Sequence, residues 1–391
     1  MARRPRLAIL VLALAEWFGT SLWFTPNAVL AELRQAWALQ ADDLAWLTGA
    51  VQVGFLLGTL GIGLSGLADR RDASRVFAAC CVIGAASNAA LTYADGLGPA
   101  LALRLITGMA LAGIYPVGMK LMVGWAPERT GAALAWLVGM LVLGTAMPHL
   151  LAALDLRGGW QLTLWLASLL ALSGGAGVAW LGEAPHAGPR PAHPRLGGLA
   201  AFRLPEFRRA AGAYFGHMWE LYTLWALLPL LLLHALPGLS TTDAALVSFA
   251  LIAVGAPGCW LGGWLSQRHG SRAVARWGLA GSALCATLYA LTAGILPTAA
   301  LIVLLGSWSL LAVIDSPHFS ALSARACPAS LVGSALTLQN AIGFAISALS
   351  LGLLLPWLPL LGQSLAWLLL PGPLLGLLAL GRRRSTQECW R

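Results

Sequence analysis

Residues 44–67 read LAWLTGAVQVGFLLGTLGIGLSGL, with no charged side chain, and open directly into Ala68-Asp69-Arg70-Arg71-Asp72. An apolar run of about 20 residues is what a helix needs to cross the hydrocarbon core of a bilayer. Outward from this run, the same criterion predicts spans near 7–30, 73–94, 99–122, 131–153 and 161–181 on one side of an interruption. Beyond it the spans fall near 210–235, 243–266, 273–294, 297–322, 331–355 and 358–380. The expected fold is therefore an all-α integral membrane protein of twelve transmembrane helices.

All but four of the 24 Lys and Arg residues fall in segments that this order places on one side of the membrane. Arg34 and Arg157 fall on the other side, and Arg104 and Lys120 lie inside apolar runs. Cationic loops are retained on the cytoplasmic side, which predicts a multi-pass protein of the inner (cytoplasmic) membrane with both termini in the cytoplasm. Both ends are basic, Arg3, Arg4 and Arg6 against Arg382, Arg383 and Arg384. The N-terminal arginines before an apolar run resemble a secretory signal. The apolar character continues past Glu16 to about Leu30 without a small-residue cleavage site, so the first span is read as retained.

Composition agrees. Hydrophobic residues make up 59% and charged residues 10%, with mean hydropathy +0.77, whereas a soluble chain carries about 25% charged residues. The net charge of +9 is spread over short loops and termini, so it indicates topology rather than a nucleic-acid groove. The six cysteines show no CxxC spacing and read as reduced apolar fillers. No metal, cofactor or nucleic acid is expected, and the chain is expected to act as a monomer in the lipid bilayer.

The interruption at 182–209 carries Pro185, Pro189, Pro191 and Pro194 with Arg190, Arg195, Arg203, Arg208 and Arg209, the composition of a cytoplasmic linker. It separates a unit at 1–181 from a unit at 210–391, each with six spans. The two look like copies. Gly58, Gly61, Ser65 and Gly66 match Gly255, Gly258, Gly262 and Gly263 in spacing, and Pro116 with Pro127 matches Pro317 with Pro328. Small residues at helical spacing let membrane helices approach closely, so the repeat predicts two six-helix bundles with equivalent contacts.

The loop Ser65-Gly-Leu-Ala-Asp69-Arg70-Arg71-Asp72 and its counterpart Gly263-Trp-Leu-Ser-Gln267-Arg268-His-Gly270-Ser-Arg272 resemble the cytoplasmic loop signature of the major facilitator superfamily. Arg104-x-x-x-Gly108 resembles that superfamily's fourth-helix signature. Ser65, Asp72 and Gln267 depart from the pattern, and Gly144-Thr-Ala-Met-Pro148 separates the glycine and proline of its antiporter signature. Tyr214-x-x-His217-x-Trp219-Glu220-Leu-Tyr222 and Asp315-Ser-Pro317-x-Phe319-Ser320 resemble bacterial members labelled nitrate- or cyanate-transporter-like. The resemblance implies two bundles rocking about a site near the bilayer midplane, lined by the first, fourth, seventh and tenth helices. It also implies a gating role at the cytoplasmic face for Asp69, Arg70 and Arg268.

An ionisable side chain in mid-membrane is a functional candidate, because it must face a cavity or a partner. Glu16 and Glu220 lie about nine or ten residues into the first and seventh spans, at matching depths near the midplane. Both are expected to project into a central wet cavity and to couple proton movement to solute movement, or else to fix helix packing as structural carboxyls. His217 shares a face with Glu220 and could tune it. Arg104 suits an anion anchor or a carboxylate partner, with Tyr115 on roughly its face. Asp315 and His318 flank Pro317, where Asp315 could satisfy a kinked helix end; His149 is similar near Pro148, and Lys120 should snorkel to the interface. Trp17, Trp23, Trp219 and Trp225 cluster on two candidate cavity helices and could stack on a planar solute, whereas Trp37, Trp46 and Trp357 suit interfacial belts.

No nucleotide-binding loop, HExxH motif or nucleophile elbow occurs, which argues against an ATP-driven pump and against an enzyme. The expected function is a proton-coupled secondary transporter moving a small solute by alternating access, with a small or organic anion as substrate. Proton-coupled efflux of a hydrophobic or cationic compound, and a non-transporting sensor on the same scaffold, are the alternatives.

Overall fold

A bilayer core offers no hydrogen-bond partners, so each apolar run must satisfy its own backbone as a helix. The computed structural model describes residues 5–40, 43–154, 159–185, 198–236, 238–328 and 331–381, and among them there is no strand. Arg3, Arg4, Arg157, Arg190, Arg195, Arg382, Arg383 and Arg384, the prolines 189, 191 and 194, Cys389 and the side chain of Asp69 lie outside the described residues. The twelve membrane helices are α1 (Pro5–Thr20, continued by Thr25–Ala28), α2 (Asp43–Ser65), α3 (Ala73–Ala90), α4 (Leu97–Leu111 and Tyr115–Trp125), α5 (Thr130–Ala153) and α6 (Gly159–Leu181). The second set is α7 (Pro205–Ala235), α8 (Thr241–Ala253 and Gly255–His269), α9 (Ser271–Thr292), α10 (Thr298–Val313 and Ser316–Arg325), α11 (Val332–Leu354) and α12 (Ala366–Leu369 and Pro371–Leu380).

Ten helical stretches among the described residues are long and apolar enough to cross a membrane, and the stretch Val332–Leu380 holds both α11 and α12. The first segment of α1 has 16 residues, short for a straight span because the helix breaks at Ser21–Phe24. The last span differs from the expected 358–380. Pro356 and Pro359 lack the N–H that a continuous helix needs, so short 3₁₀ and α turns fill 355–365 before α12 begins at Ala366.

The repeated prolines break the fourth helix of each half in the same way. Pro116 and Pro317 each follow a gap, after Leu111 in α4 and after Val313 in α10. Proline removes a donor and its ring collides with the carbonyl four residues back. In α4 the gap is bridged by tighter bonds, Gly113 N–H to Ala110 O at 2.9 Å and Ile114 N–H to Leu111 O at 3.0 Å.

The repeated glycines also pack as expected, with one shift. A Cβ on Gly58 would meet Met109 of α4 at 2.8 Å, and one on Gly258 would meet Leu310 of α10 at 3.0 Å. Met109 and Leu310 stand equally far before Pro116 and Pro317. Gly58 therefore corresponds to Gly258, about one helical turn from the Gly255 that spacing alone suggests. Gly61 faces open space; its match to Gly258 was spacing without contact.

The two bundles meet through α2 against α11 and α5 against α8. Gly63 abuts Thr337 of α11, a Cβ on Gly263 of α8 would lie 3.0 Å from Ala135 of α5, and the Trp136 and Trp260 rings stack at 4.5 Å. From the interruption, the described turn Gly198–Ala201 lies against Ser334 of α11. Outward faces carry apolar side chains such as Leu169 (55% exposed), Val303 (67%) and Leu378 (75%), which suits hydrocarbon contact. Trp46 and Trp357 are exposed near helix ends, and the five described cysteines are unpaired.

Candidate functional site

Between the bundles lies a narrow cavity of about 30 Å³, lined by Tyr115 of α4, Val138 and Leu141 of α5, five residues of α7, three of α10, and Asn340 and Phe344 of α11. It has room for about one or two water molecules. Among the described residues the wall carries no charged side chain: the rings of Tyr115, Tyr214, Tyr222, Trp225 and Phe344 and the polar groups of Ser316, Ser320 and Asn340 stand among aliphatic side chains such as Leu141 and Val313. The four-helix lining implied by the resemblance is met by α4, α7 and α10. No residue of α1 lines the cavity; α5 and α11 do so instead.

Trp23 of α1 contributes from outside the wall. Its ring lies 5.1 Å from Phe55, 5.2 Å from Tyr222 and 5.7 Å from Phe344, while Phe55 and Phe344 are 4.0 Å apart. This stack joins α1 and α2 to α7 and α11, and through Tyr222 and Phe344 it backs the cavity wall. Trp225 joins the stack edge-on, 5.4 Å from Tyr222, whereas Trp17 and Trp219 do not. Trp17 is 5.5 Å from Phe18, and Trp219 donates to the Leu368 carbonyl at 2.9 Å.

Arg104 holds this stack in place. Its guanidinium is fully buried, donating to Leu22 O at 3.0 Å and to Trp23 O where α1 breaks. Among the described residues neither an anion cavity nor a carboxylate receives it; the carbonyls at the end of a broken helix do, which is where a fork of donors satisfies most. Arg104→Gln should leave one or both carbonyls unpaired, at about 1–3 kcal/mol each. A lower melting temperature in detergent is the expected result, with Arg104→Lys restoring only part of it.

Neither Glu16 nor Glu220 enters the cavity, contrary to the sequence expectation. On α7 the residues Tyr214, Met218, Leu221, Tyr222 and Trp225 face it, which turns His217 and Glu220 inward to their own bundle. Glu220 is buried, and its Oε1 accepts from Ser282 Oγ of α9 at 2.5 Å and from Trp308 Nε1 of α10 at 2.8 Å. Glu16 is turned the same way in the first bundle. A Cβ on Gly118 of α4 would stand 2.6 Å from its Oε2 and 3.4 Å from Phe77 of α3. Neither carboxyl oxygen of Glu16 has a hydrogen-bond partner among the described residues. The physical reason is helical phase: a face shared by residues three or four apart can meet the partner bundle or its own, and the large aromatics take the former.

The second bundle adds a buried pair. His217 Nδ1 lies 2.9 Å from Asp315 Oδ1, with both side chains almost fully buried. Asp315 sits in the α10 break and makes no side-chain cap to the following segment; it reaches α7 instead. Its chain neighbour Ser316 lines the cavity, and the His217 ring lies 6.2 Å from Tyr214, another wall residue. His217, Glu220 and Asp315 thus form one group directly behind the wall, and Tyr115 stands in the wall itself. His318 and His149 are buried outside this group, each with Nε2 unpartnered among the described residues.

At the basic end, Gly66 adopts φ +61°, the left-handed conformation that glycine takes without strain, and starts the turn Leu67–Arg70. Arg70 is exposed, and Lys120 donates to the Ala68 carbonyl at 2.5 Å, tying α4 to this turn. In the second half Arg268 lies over Trp264 of its own helix at 4.6 Å. Arg272 makes the connection between helices there, donating to Glu206 of α7 at 2.6 Å and Leu380 of α12 at 3.0 Å. Sequence reasoning quoted Arg272 within its loop without giving it a role, and passed over Ser282, Trp308 and Asn340. Of these three, Asn340 carried a signal, as an amide inside an apolar run.

The profile described as Major Facilitator Superfamily matches residues 9–352. A protein named niacin transporter NiaP, from Acinetobacter baylyi (strain ATCC 33305 / BD413 / ADP1), is 29% identical over 154 residues. The match takes in 37% of this chain and 33% of that relative, so it spans about a third of the relative's length.

Proposed function

Because the chain belongs to the Major Facilitator Superfamily, we propose that this secondary transporter is a proton symporter for a small planar organic acid. The observation that carries the coupling is the buried His217–Asp315 contact at 2.9 Å. It fastens α7 to the break in α10, one residue from the cavity wall, so a change in proton content there bears on a helix that touches the solute. Glu220 extends the group one turn along α7. Glu16 holds the matching place in the first bundle, yet meets no donor among the described residues; we therefore assign the coupling proton to the second bundle.

The wall supports the choice of substrate. Tyr, Trp and Phe rings suit a flat solute, and Asn340, Ser316 and Ser320 offer hydrogen bonds to a carboxyl. With no charged side chain in the wall among the described residues, an acid that travels together with its proton fits better than a bare ion. A hydrophobic cation would call for a carboxylate there. Niacin, named for the partial relative, is a planar aromatic acid of this class.

The proposal is completed by two units, 1–181 and 210–391, rocking about the cavity on the linker 182–209 as a monomer in the inner membrane. The excess of basic residues on one side supports cytoplasmic termini. Asp69, Arg70 and Arg268 are assigned to gating at that face, together with Arg272 and Lys120.

The test is initial uptake into proteoliposomes made alkaline inside, read against protein-free liposomes, with nicotinate, benzoate, nitrate, cyanate and tetraphenylphosphonium. Protein-dependent, gradient-stimulated entry of the aromatic acids is expected. Movement of tetraphenylphosphonium alone, or aromatic-acid entry indifferent to the gradient, would refute the reading.

A further inference from the structure

A second cavity of about 400 Å³ opens at the basic end of the second bundle, away from the transport site, and is lined by His269, Ser271, Arg272, Arg276, Arg325 and neighbouring residues. We propose that it binds a phosphate group, carried by an anionic lipid headgroup or by a soluble phosphate compound.

Basic residues at this end are expected from topology alone, but topology does not make them converge. Here they come from three helix ends: His269 closes α8, Arg272 and Arg276 begin α9, and Arg325 ends α10. Two of the guanidiniums are held in position from behind. Arg272 donates to Leu380 O at 3.0 Å and Arg276 to Gly381 O at 2.5 Å, so carbonyls at the end of α12 orient both. Arg325 has no ion pair among the described residues. Glu206 meets Arg272 and Arg209 from α7 and does not line the cavity.

The backbone adds donors. Gly270, at φ +81°, occupies the position before α9 and has no side chain to cap it. The amides of Ser271 and Arg272 have no backbone acceptor among the described residues. Free amides at a helix start together with arginine forks match the oxygens of a phosphate, and basic pockets at this membrane level suit lipid headgroups. A phosphate held there would join Arg325 to Arg272 and Arg276. It would thereby brace the segment Ser316–Arg325, which supplies Ser316 and Ser320 to the transport cavity.

The site stands apart from the transport reading, and binding alone tests it. Purified full-length protein in detergent is titrated with short-chain phosphatidylglycerol, short-chain phosphatidylcholine or inorganic phosphate at fixed ionic strength, and its melting temperature is followed. A saturable rise with phosphatidylglycerol exceeding that with phosphatidylcholine indicates a lipid source, and a rise with inorganic phosphate a soluble one. Arg325→Gln should raise the half-saturating concentration by about tenfold or more, and Arg276→Gln serves as a second variant should the first not melt cooperatively. Arg129→Gln, on the same face outside the cavity, should change nothing. Equal responses to both lipids with none to phosphate, an unaltered titration in both cavity variants, or an equal loss in Arg129→Gln would overturn the site.

Discussion

Glu220→Gln is expected to lose the stimulation of uptake by a pH gradient while keeping solute exchange. A one-unit gradient is worth about 1.4 kcal/mol per proton, enough for up to about tenfold stimulation of initial uptake. In the variant that ratio should fall to about one. The substitution conserves volume, and the amide oxygen can still accept from Ser282 and Trp308, the two donors now at 2.5 and 2.8 Å. The fold should therefore survive, and counterflow of labelled solute measures it. Asp315→Asn should also uncouple transport, but with a loss of stability, because it replaces the carboxyl oxygen that His217 Nδ1 meets at 2.9 Å in a buried place. Glu16→Gln orphans no donor among the described residues and should keep its gradient dependence. Full stimulation in both Glu220→Gln and Asp315→Asn would remove the second bundle from the coupling mechanism.

Gly108→Leu should be the most damaging single change to the fold. A Cβ at Gly108 would collide with the Val51 carbonyl, stand 2.8 Å from Phe55 N and 2.9 Å from Gly54 Cα. These are backbone atoms of α2, which cannot move aside as a flexible side chain can. Overpacking of a core typically costs about 1–3 kcal/mol, and separating two helices along a close contact should reach roughly the upper end or beyond. The expected outcome is loss of a monodisperse peak in size-exclusion chromatography and of a cooperative melt. Gly61→Leu, on the opposing helix but facing open space, should behave as the unsubstituted protein. Equal behaviour of the two variants would show that the α2–α4 contact is not what the glycine protects.

Much of the architecture was legible because the membrane allows few solutions. Run length and the prolines 116 and 317 pointed to spans and equivalent breaks, all local properties of the chain. The depth of Glu16 and Glu220 was legible too, since rise per residue fixes depth. Their direction was not. Whether residue 220 or residue 221 faces the partner bundle depends on helix rotation, and rotation is set by which side chains pack best across an interface.

The sequence alone therefore determined a polytopic helical protein in two halves, because a low-dielectric slab enforces helices of set length and sorts charge by side. Tertiary structure decided that Arg104 binds the carbonyls of Leu22 and Trp23, that His217 meets Asp315, and that tyrosines rather than acids line the cavity. Those outcomes join residues far apart in the chain, and only packing, with every buried polar group competing for a partner, selects among them.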